Sequence, residues 1–277
     1  MYKLEEIPQS AIVLKNKILK ALKDNFSTKD FIFEEVEHKY TLEGKVLTSA
    51  TTFIKKFYKE YDTVNEAIKY ALKHGLIYEE VLKEWEAKGL YARILGTNVH
   101  KWIEDFWNGL NPAIPDHPDE AIRVKAYLEF HYKHFKRFIQ IAQEVRVFSK
   151  KYGISGTIDA LFLVEIEDGI WVLQIWDWKT NKDGKFTTDS DFNFGKYLLH
   201  PFKNLKENEH NKYSLQMALY KILLNDVGIE VDNCYLCHIP PSGNIKVHMA
   251  KDLSVILKKY LNNELTDITK TIPTDLF

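Results

Sequence analysis

Cysteine and arginine are scarce in this chain, and long apolar runs are missing. The only cysteines, Cys234 and Cys237, cannot build a disulfide framework. Cys234-Tyr235-Leu236-Cys237 has no second pair to complete a zinc site. It lies in a strand-like stretch, Asn233 to Ile239, so both thiols are expected in the core. No run approaches the roughly eighteen apolar residues of a membrane span. The start, Met-Tyr-Lys-Leu-Glu-Glu-Ile-Pro, lacks the basic-then-apolar form of a signal peptide, and its acids argue against a transit peptide. The expected setting is the cytoplasm of a bacterial or phage-infected cell, with no membrane partner. No G-x-x-x-x-G-K-[ST] phosphate loop occurs, so neither a fused motor nor a nucleotide cofactor is expected. Internal repeats and low-complexity tracts are also missing.

The basic residues are lysines apart from Arg93, Arg123, Arg137 and Arg146. Lysine makes point contacts to phosphate rather than bidentate contacts to bases, which disfavours sequence-specific reading of a nucleic acid. A net charge of −1 leaves room for a local phosphate-binding groove with modest nonspecific affinity. The length, 277 residues, allows one substantial core, or one core with a helical appendage.

The most informative segment is Gly156-Thr157-Ile158-Asp159 followed by Asp177-Trp178-Lys179. Residues 157–164 and 170–178 are rich in β-branched, aromatic and aliphatic side chains, and Glu165-Ile166-Glu167-Asp168-Gly169 lies between them, which predicts a hairpin. A three-residue turn with Gly169 left-handed pairs Ile166 with Ile170 and Asp159 with Asp177, putting both carboxylates on one face. Side chains alternate with period two, so Lys179 shares that face, roughly 7 Å further along. A two-residue turn would pair Asp159 with Trp178 and send the carboxylates to opposite faces. Two acidic oxygens and a backbone carbonyl, that of Trp178, are hard ligands suited to Mg²⁺ or Mn²⁺. Such a cation polarises a phosphate oxygen and lowers the pKa of a water; Lys179 can orient that water or neutralise charge building on the phosphate.

Two predicted helices flank this hairpin. In Leu95-Gly96-Thr97-Asn98-Val99-His100-Lys101-Trp102-Ile103-Glu104 the first turn is expected to follow Gly96 and Thr97. His100 and Glu104 then lie on one face, about 5–6 Å apart at Cβ, and Val99, Trp102, Ile103 and Phe106 form an apolar face. Residues 213–224 are strongly apolar, with Gln216 and Tyr220 again one turn apart. Those two are either polar tips at the rim of a core helix or groups that meet phosphate oxygens or the lysine.

In order, G-x-x-x-H-x-x-x-E, G-x-x-D, D-x-K and Q-x-x-x-Y resemble the RecB-type branch of the PD-(D/E)XK nuclease superfamily over roughly residues 92–240. The amino-terminal stretch is similar in style to stand-alone exonucleases of phage and of the mitochondrial genome maintenance type. The resemblance implies an α/β restriction-endonuclease-like core, a central mixed sheet flanked by helices. It implies one or two Mg²⁺ or Mn²⁺ ions, with Asp159, Asp177 and His100 as ligands and Lys179 as the catalytic lysine. Glu104 would support the site, and Gln216 and Tyr220 would position DNA or neighbouring groups. Glu144 is a further candidate, because relatives often carry an acid there. Ile158 stands where the superfamily name expects proline, and Asp177 where many members have glutamate; both are ordinary for this branch. Some relatives hold an iron–sulfur cluster on four cysteines, and with two none is expected here.

Elsewhere, Ser10 to Asn25 is predicted helical, Phe31 to Leu47 reads as a hairpin turning at Glu43-Gly44, and Ser49 caps a helix to about Tyr61. Val64 to Asp105 reads as helix in two or three pieces. Residues 1–91 thus form a helical and hairpin region, either arching over the site or layered on the sheet, and residues 92–277 the nuclease core. A long helix from Pro118 to about Gln143 offers aromatics, one or two of which could stack on unpaired bases. Glu144 to Ser149 is the strand entering the hairpin. The polar connection 181–211 carries Lys182 and Lys185 as candidate substrate contacts, either on a DNA-gripping flap or on a solvated excursion. A hairpin around Pro240-Pro241 and a helix from Asp252 to about Leu261 close the chain. The expected function is a metal-dependent DNA exonuclease in processing, recombination or repair, acting on single strands or DNA ends beside an unidentified recombination or replication protein. The alternatives are an endonuclease of the same fold and a silent DNA-binding accessory protein.

Overall fold

A computed structural model describes residues 7–35, 37–191 and 195–265. In chain order, helix α1 (Gln9–Phe26) precedes β1 (Phe31–Glu34), β2 (Lys39–Leu42) and β3 (Lys45–Ser49). Short helix α2 (Ala50–Ile54) continues into a 3-10 turn, Lys55–Phe57. Then come α3 (Thr63–His74), α4 (Tyr78–Trp107), α5 (Pro118–His134), β4 (Phe138–Ser149), β5 (Ile154–Glu167) and β6 (Ile170–Lys179). The described chain ends with α6 (Glu209–Asn225), β7 (Cys234–His238), β8 (Lys246–Met249) and α7 (Ser254–Leu261). No helix of the described residues is long and apolar enough to cross a membrane.

The strands form one mixed sheet. β5 is its spine: β4 runs antiparallel along one edge, from Phe138↔Val164 to Ser149↔Ile154. The other edge is shared. β3 pairs parallel with its first residues (Thr48↔Ile154, Ser49↔Ser155), and β6 pairs antiparallel from Ala160↔Trp176 onward. Residues 156–159 therefore lie between two strand ends, where the edge is open. β7 runs parallel to β6, and β8 antiparallel to β7. Alternation along β5 and β6 sends Leu161, Leu163, Leu173 and Ile175 into a layer with α1, α2, α6 and α7. Phe162, Trp176 and Trp178 pack with α4 and α5 on the opposite face. The architecture is thus α/β, a mixed sheet between helices.

The hairpin turn differs from the expectation in an instructive way. Glu167 pairs with Ile170 across Asp168-Gly169, a two-residue connection, but a bulge between Glu165 and Glu167 returns the register to Glu165↔Trp171. Ile166 is the extra residue, and a single inserted residue reverses the facing of everything beyond it. Asp159 and Asp177 consequently share a face, the arrangement expected from the longer turn.

Other expectations need correction. Gly96 and Thr97 do not begin the His100 helix; they lie inside α4, which runs unbroken across the boundary drawn at residue 91. Gly96 is there for space, since a Cβ would meet Thr180 Oγ1 at 3.0 Å. The helix from Pro118 stops at His134, and Ile139 and Ile141 are strand residues of β4, where β-branched side chains pack well against β5. Phe31 to Ser49 makes three strands, with the Glu43-Gly44 turn joining the last two. Ser49 does cap a helix, accepting from the Thr52 N–H at 3.2 Å, but α2 is short. The connection through 181–208 is folded in its described part: Phe186, Leu198 and Phe202 are buried, and Asp189 accepts from Asn208 and Asn211 at 2.8 Å each. Both cysteines are buried and free.

One core feature makes stability depend on pH. His131 of α5 is 4% exposed, wedged among Phe106, Trp107 and Phe135. Burial lowers its pKa from 6.5 to about 4. Between those values the unfolded chain binds a proton that the folded chain refuses, so stability falls as pH drops from 6.5 towards 4, by roughly 3 kcal/mol for this group. In His131→Phe, urea unfolding across this range should lose that share of the pH dependence. An undiminished dependence would assign it to other groups.

Candidate active site

The site is built where β5, β6 and β4 meet the C-terminal third of α4. Asp159, nearly buried, leaves β5 at the open edge and accepts the Trp178 N–H at 2.7 Å through Oδ2. In an extended strand one residue's N–H and C=O face the same edge, so the Trp178 carbonyl is also turned towards β5. Asp177 is 2% exposed. Its Oδ2 lies 2.6 Å from Lys179 Nζ, a close buried ion pair.

α4 brings His100 to this face, with Nδ1 3.4 Å from Asp159 Oδ2. β4 brings Glu144, a non-glycine residue held at φ 47°, in the sparsely populated left-handed region. One ligand atom from each of His100, Glu144 and Asp159 lies within 4.8 Å of the others. Burial pushes the Glu144 carboxyl up to about 8, and Asp159, Glu104 and Asp177 add to the rise. Burial likewise raises Asp177 to about 6, opposed by Lys179. Crowded acids that resist ionising, with an imidazole beside them, form a donor set that a small hard cation relieves.

α6 encloses the lysine. Gln216 accepts from Lys179 Nζ through Oε1 at 3.4 Å and donates through Nε2 to Tyr220 Oη at 3.0 Å. Lys179 Nζ also sits 4.1 Å from the centre of the Tyr213 ring, and the Tyr213 hydroxyl hydrogen-bonds Asn181. Burial works to lower the lysine's pKa, yet Asp177, Tyr213 and Asp159 outweigh it and the net shift is upward, so Lys179 stays an ammonium.

The cavity over these groups has a volume of about 560 Å³. It brings together His100, Glu104, Asp159, Asp177, Lys179, Gln216 and Tyr220. Trp178 itself is buried beneath, and only its main chain faces the site. Glu104 lines the cavity but is paired with Lys101 at 3.0 Å, so it contributes negative charge rather than a contact with His100. Lys182 and Lys185 are not brought in: both are exposed on a turn beyond β6, outside the lining. Four contributors were missed. Tyr213 lies one turn before Gln216, so helical periodicity could have found it. Arg146 and the aromatic wall of Phe33 and Tyr40 depend on strand pairing between distant segments, for which no local signal exists.

No protein-family profile and no curated protein matches this chain. Among solved structures, the one described as "Crystal structure of SSO0001" aligns over 98% of this chain and 98% of its own, at 13% identity and a TM-score of 0.30. A likeness that low carries no argument about fold family or activity.

Proposed function

We propose that this chain is a Mg²⁺- or Mn²⁺-dependent deoxyribonuclease of the PD-(D/E)XK type, RecB-like branch, acting as an exonuclease in the cytoplasm. The observation that carries the reading is the convergence of Asp159, Asp177 and Lys179 from one hairpin with His100 and Glu144 in a single cavity. His100, Glu144, Asp159, Asp177 and the Trp178 carbonyl would hold one or two ions. The cation would polarise the scissile phosphodiester and acidify a water. The chain's own groups do the rest. Lys179, fixed by Asp177, Gln216 and Tyr213, places a positive charge where the phosphate accumulates negative charge during in-line attack. Gln216 and Tyr220 hold the lysine's orientation. The near-neutral net charge of −1 suits modest, sequence-independent binding of DNA ends, with a recombination or replication protein supplying local concentration.

The test is digestion of end-labelled linear single- and double-stranded DNA beside covalently closed circles, with Mg²⁺, Mn²⁺ or EDTA. Linear DNA should disappear only with metal, and circles should persist. Cutting of circles would make the enzyme an endonuclease, and intact linear DNA under every condition would overturn the hydrolase reading.

A further inference from the structure

The cations around the cavity are not equivalent. Lys179 is bound to Asp177, and Lys101 to Glu104 and Asp105 at 3.0 and 2.9 Å. Arg146 makes no ion pair within 4 Å among the described residues, although it lines the same cavity and is exposed. Its guanidinium lies instead over Phe33, 4.7 Å from the ring centre. Phe33 is itself stacked on the buried Tyr40 at 4.6 Å. Tyr40 Oη and Thr157 Oγ1 share a hydrogen bond of 2.9 Å. Arg146 pairs with Thr157 across β4 and β5. It stands two residues beyond Glu144, roughly 7 Å along the strand.

Stacking on a ring that is braced from behind restricts the guanidinium's rotations while leaving its N–H edge free. That is a preorganised, unspent phosphate donor. Arg146 itself stands on β4, and the ring it leans on belongs to the β1 to β3 unit, which joins β5 at Ile154 and Ser155.

We propose that Arg146, braced by Phe33 and Tyr40 and assisted by the Thr157 hydroxyl, grips the phosphate adjacent to the scissile one. It thereby registers the substrate strand over the carboxylates. The inference rests on the hydrolase reading above. Its ligand is the anionic sugar–phosphate backbone, so the contact reads charge and spacing rather than base identity.

The experiment measures kcat and KM for metal-dependent cleavage of an end-labelled single-stranded DNA oligonucleotide by wild type, Arg146→Ala, Arg146→Lys and Phe33→Leu, across a salt series. KM should rise about tenfold or more in Arg146→Ala, with kcat falling less, and the slope of log KM against log salt should shrink by about 0.7, one phosphate contact. Arg146→Lys should recover the salt slope but only part of KM, and Phe33→Leu should raise KM with the charge intact. An oligonucleotide carrying a neutral methylphosphonate next to the cleaved linkage should penalise wild type but add nothing in Arg146→Ala. If wild type cleaves and Arg146→Ala keeps KM, salt slope and methylphosphonate penalty, the Arg146 assignment is wrong while the hydrolase reading stands. If wild type cleaves nothing with either metal, both fall.

Discussion

Lys179→Ala should lower kcat for metal-dependent cleavage by about two to three orders of magnitude, the usual loss when a preorganised charge is removed from a developing oxyanion. Mn²⁺ should still bind, because every proposed ligand side chain is kept. The argument rests on how Lys179 is held: Asp177 at 2.6 Å, Gln216 at 3.4 Å and the Tyr213 ring at 4.1 Å leave its ammonium little freedom. A charge so fixed needs no reorganisation as the reaction proceeds. Lys179→Arg should not rescue, since a planar fork cannot occupy a cage shaped for a compact ammonium. A kcat within about threefold of wild type in Lys179→Ala would reduce the lysine to a structural counterion for Asp177.

Gly156→Ala should both destabilise the fold and damage the site. A Cβ at position 156 would lie 2.6 Å from Tyr220 Cε1, 3.0 Å from its hydroxyl and 3.1 Å from Ala50 Cβ. Neither neighbour can retreat, because Tyr220 is 2% and Ala50 1% exposed. Overpacking of this kind typically removes about 1–3 kcal/mol, readable as a lower urea midpoint. Since Tyr220 holds Gln216, and Gln216 holds Lys179, kcat should fall as well. Adding Tyr220→Leu to Gly156→Ala should restore part of the stability but not kcat, a coupling that separates steric from chemical damage. A Gly156→Ala protein as stable as wild type would mean that α6 can shift away from β5.

Much of this site was legible before the structure because it depends on short-range periodicity. The shared face of Asp159, Asp177 and Lys179 follows from strand alternation, and the neighbouring positions of Gln216 and Tyr220 from the helical repeat. The parts that were not legible depend on contacts between distant segments. The hairpin reached the expected pairing through a bulge at Ile166 rather than a longer turn, because a two-residue connection plus one inserted residue is equivalent in register. Gly96 resembled a helix start, although its smallness serves the crossing with Thr180. Glu104 was placed correctly on its helix face, but periodicity could not reveal that Lys101 would capture it. Glu144 was flagged by analogy, and only the backbone of β4, kinked at φ 47°, shows how its carboxylate reaches Asp159 and His100. Lys182 and Lys185 looked useful because they follow Lys179 in sequence, yet the chain turns away after β6. Arg146 joins Phe33 only through the pairing of β1 to β3 with β5.

The central claim is that these residues form one divalent-metal site, and anomalous scattering from a crystal soaked in Mn²⁺ tests it most directly. The expected result is a Mn²⁺ peak bounded by His100, Glu144 and Asp159, within coordination reach of Asp177 or the Trp178 carbonyl, and lost in Asp159→Asn. A clear peak elsewhere with none in this cavity, or a peak here that survives Asp159→Asn, would contradict it.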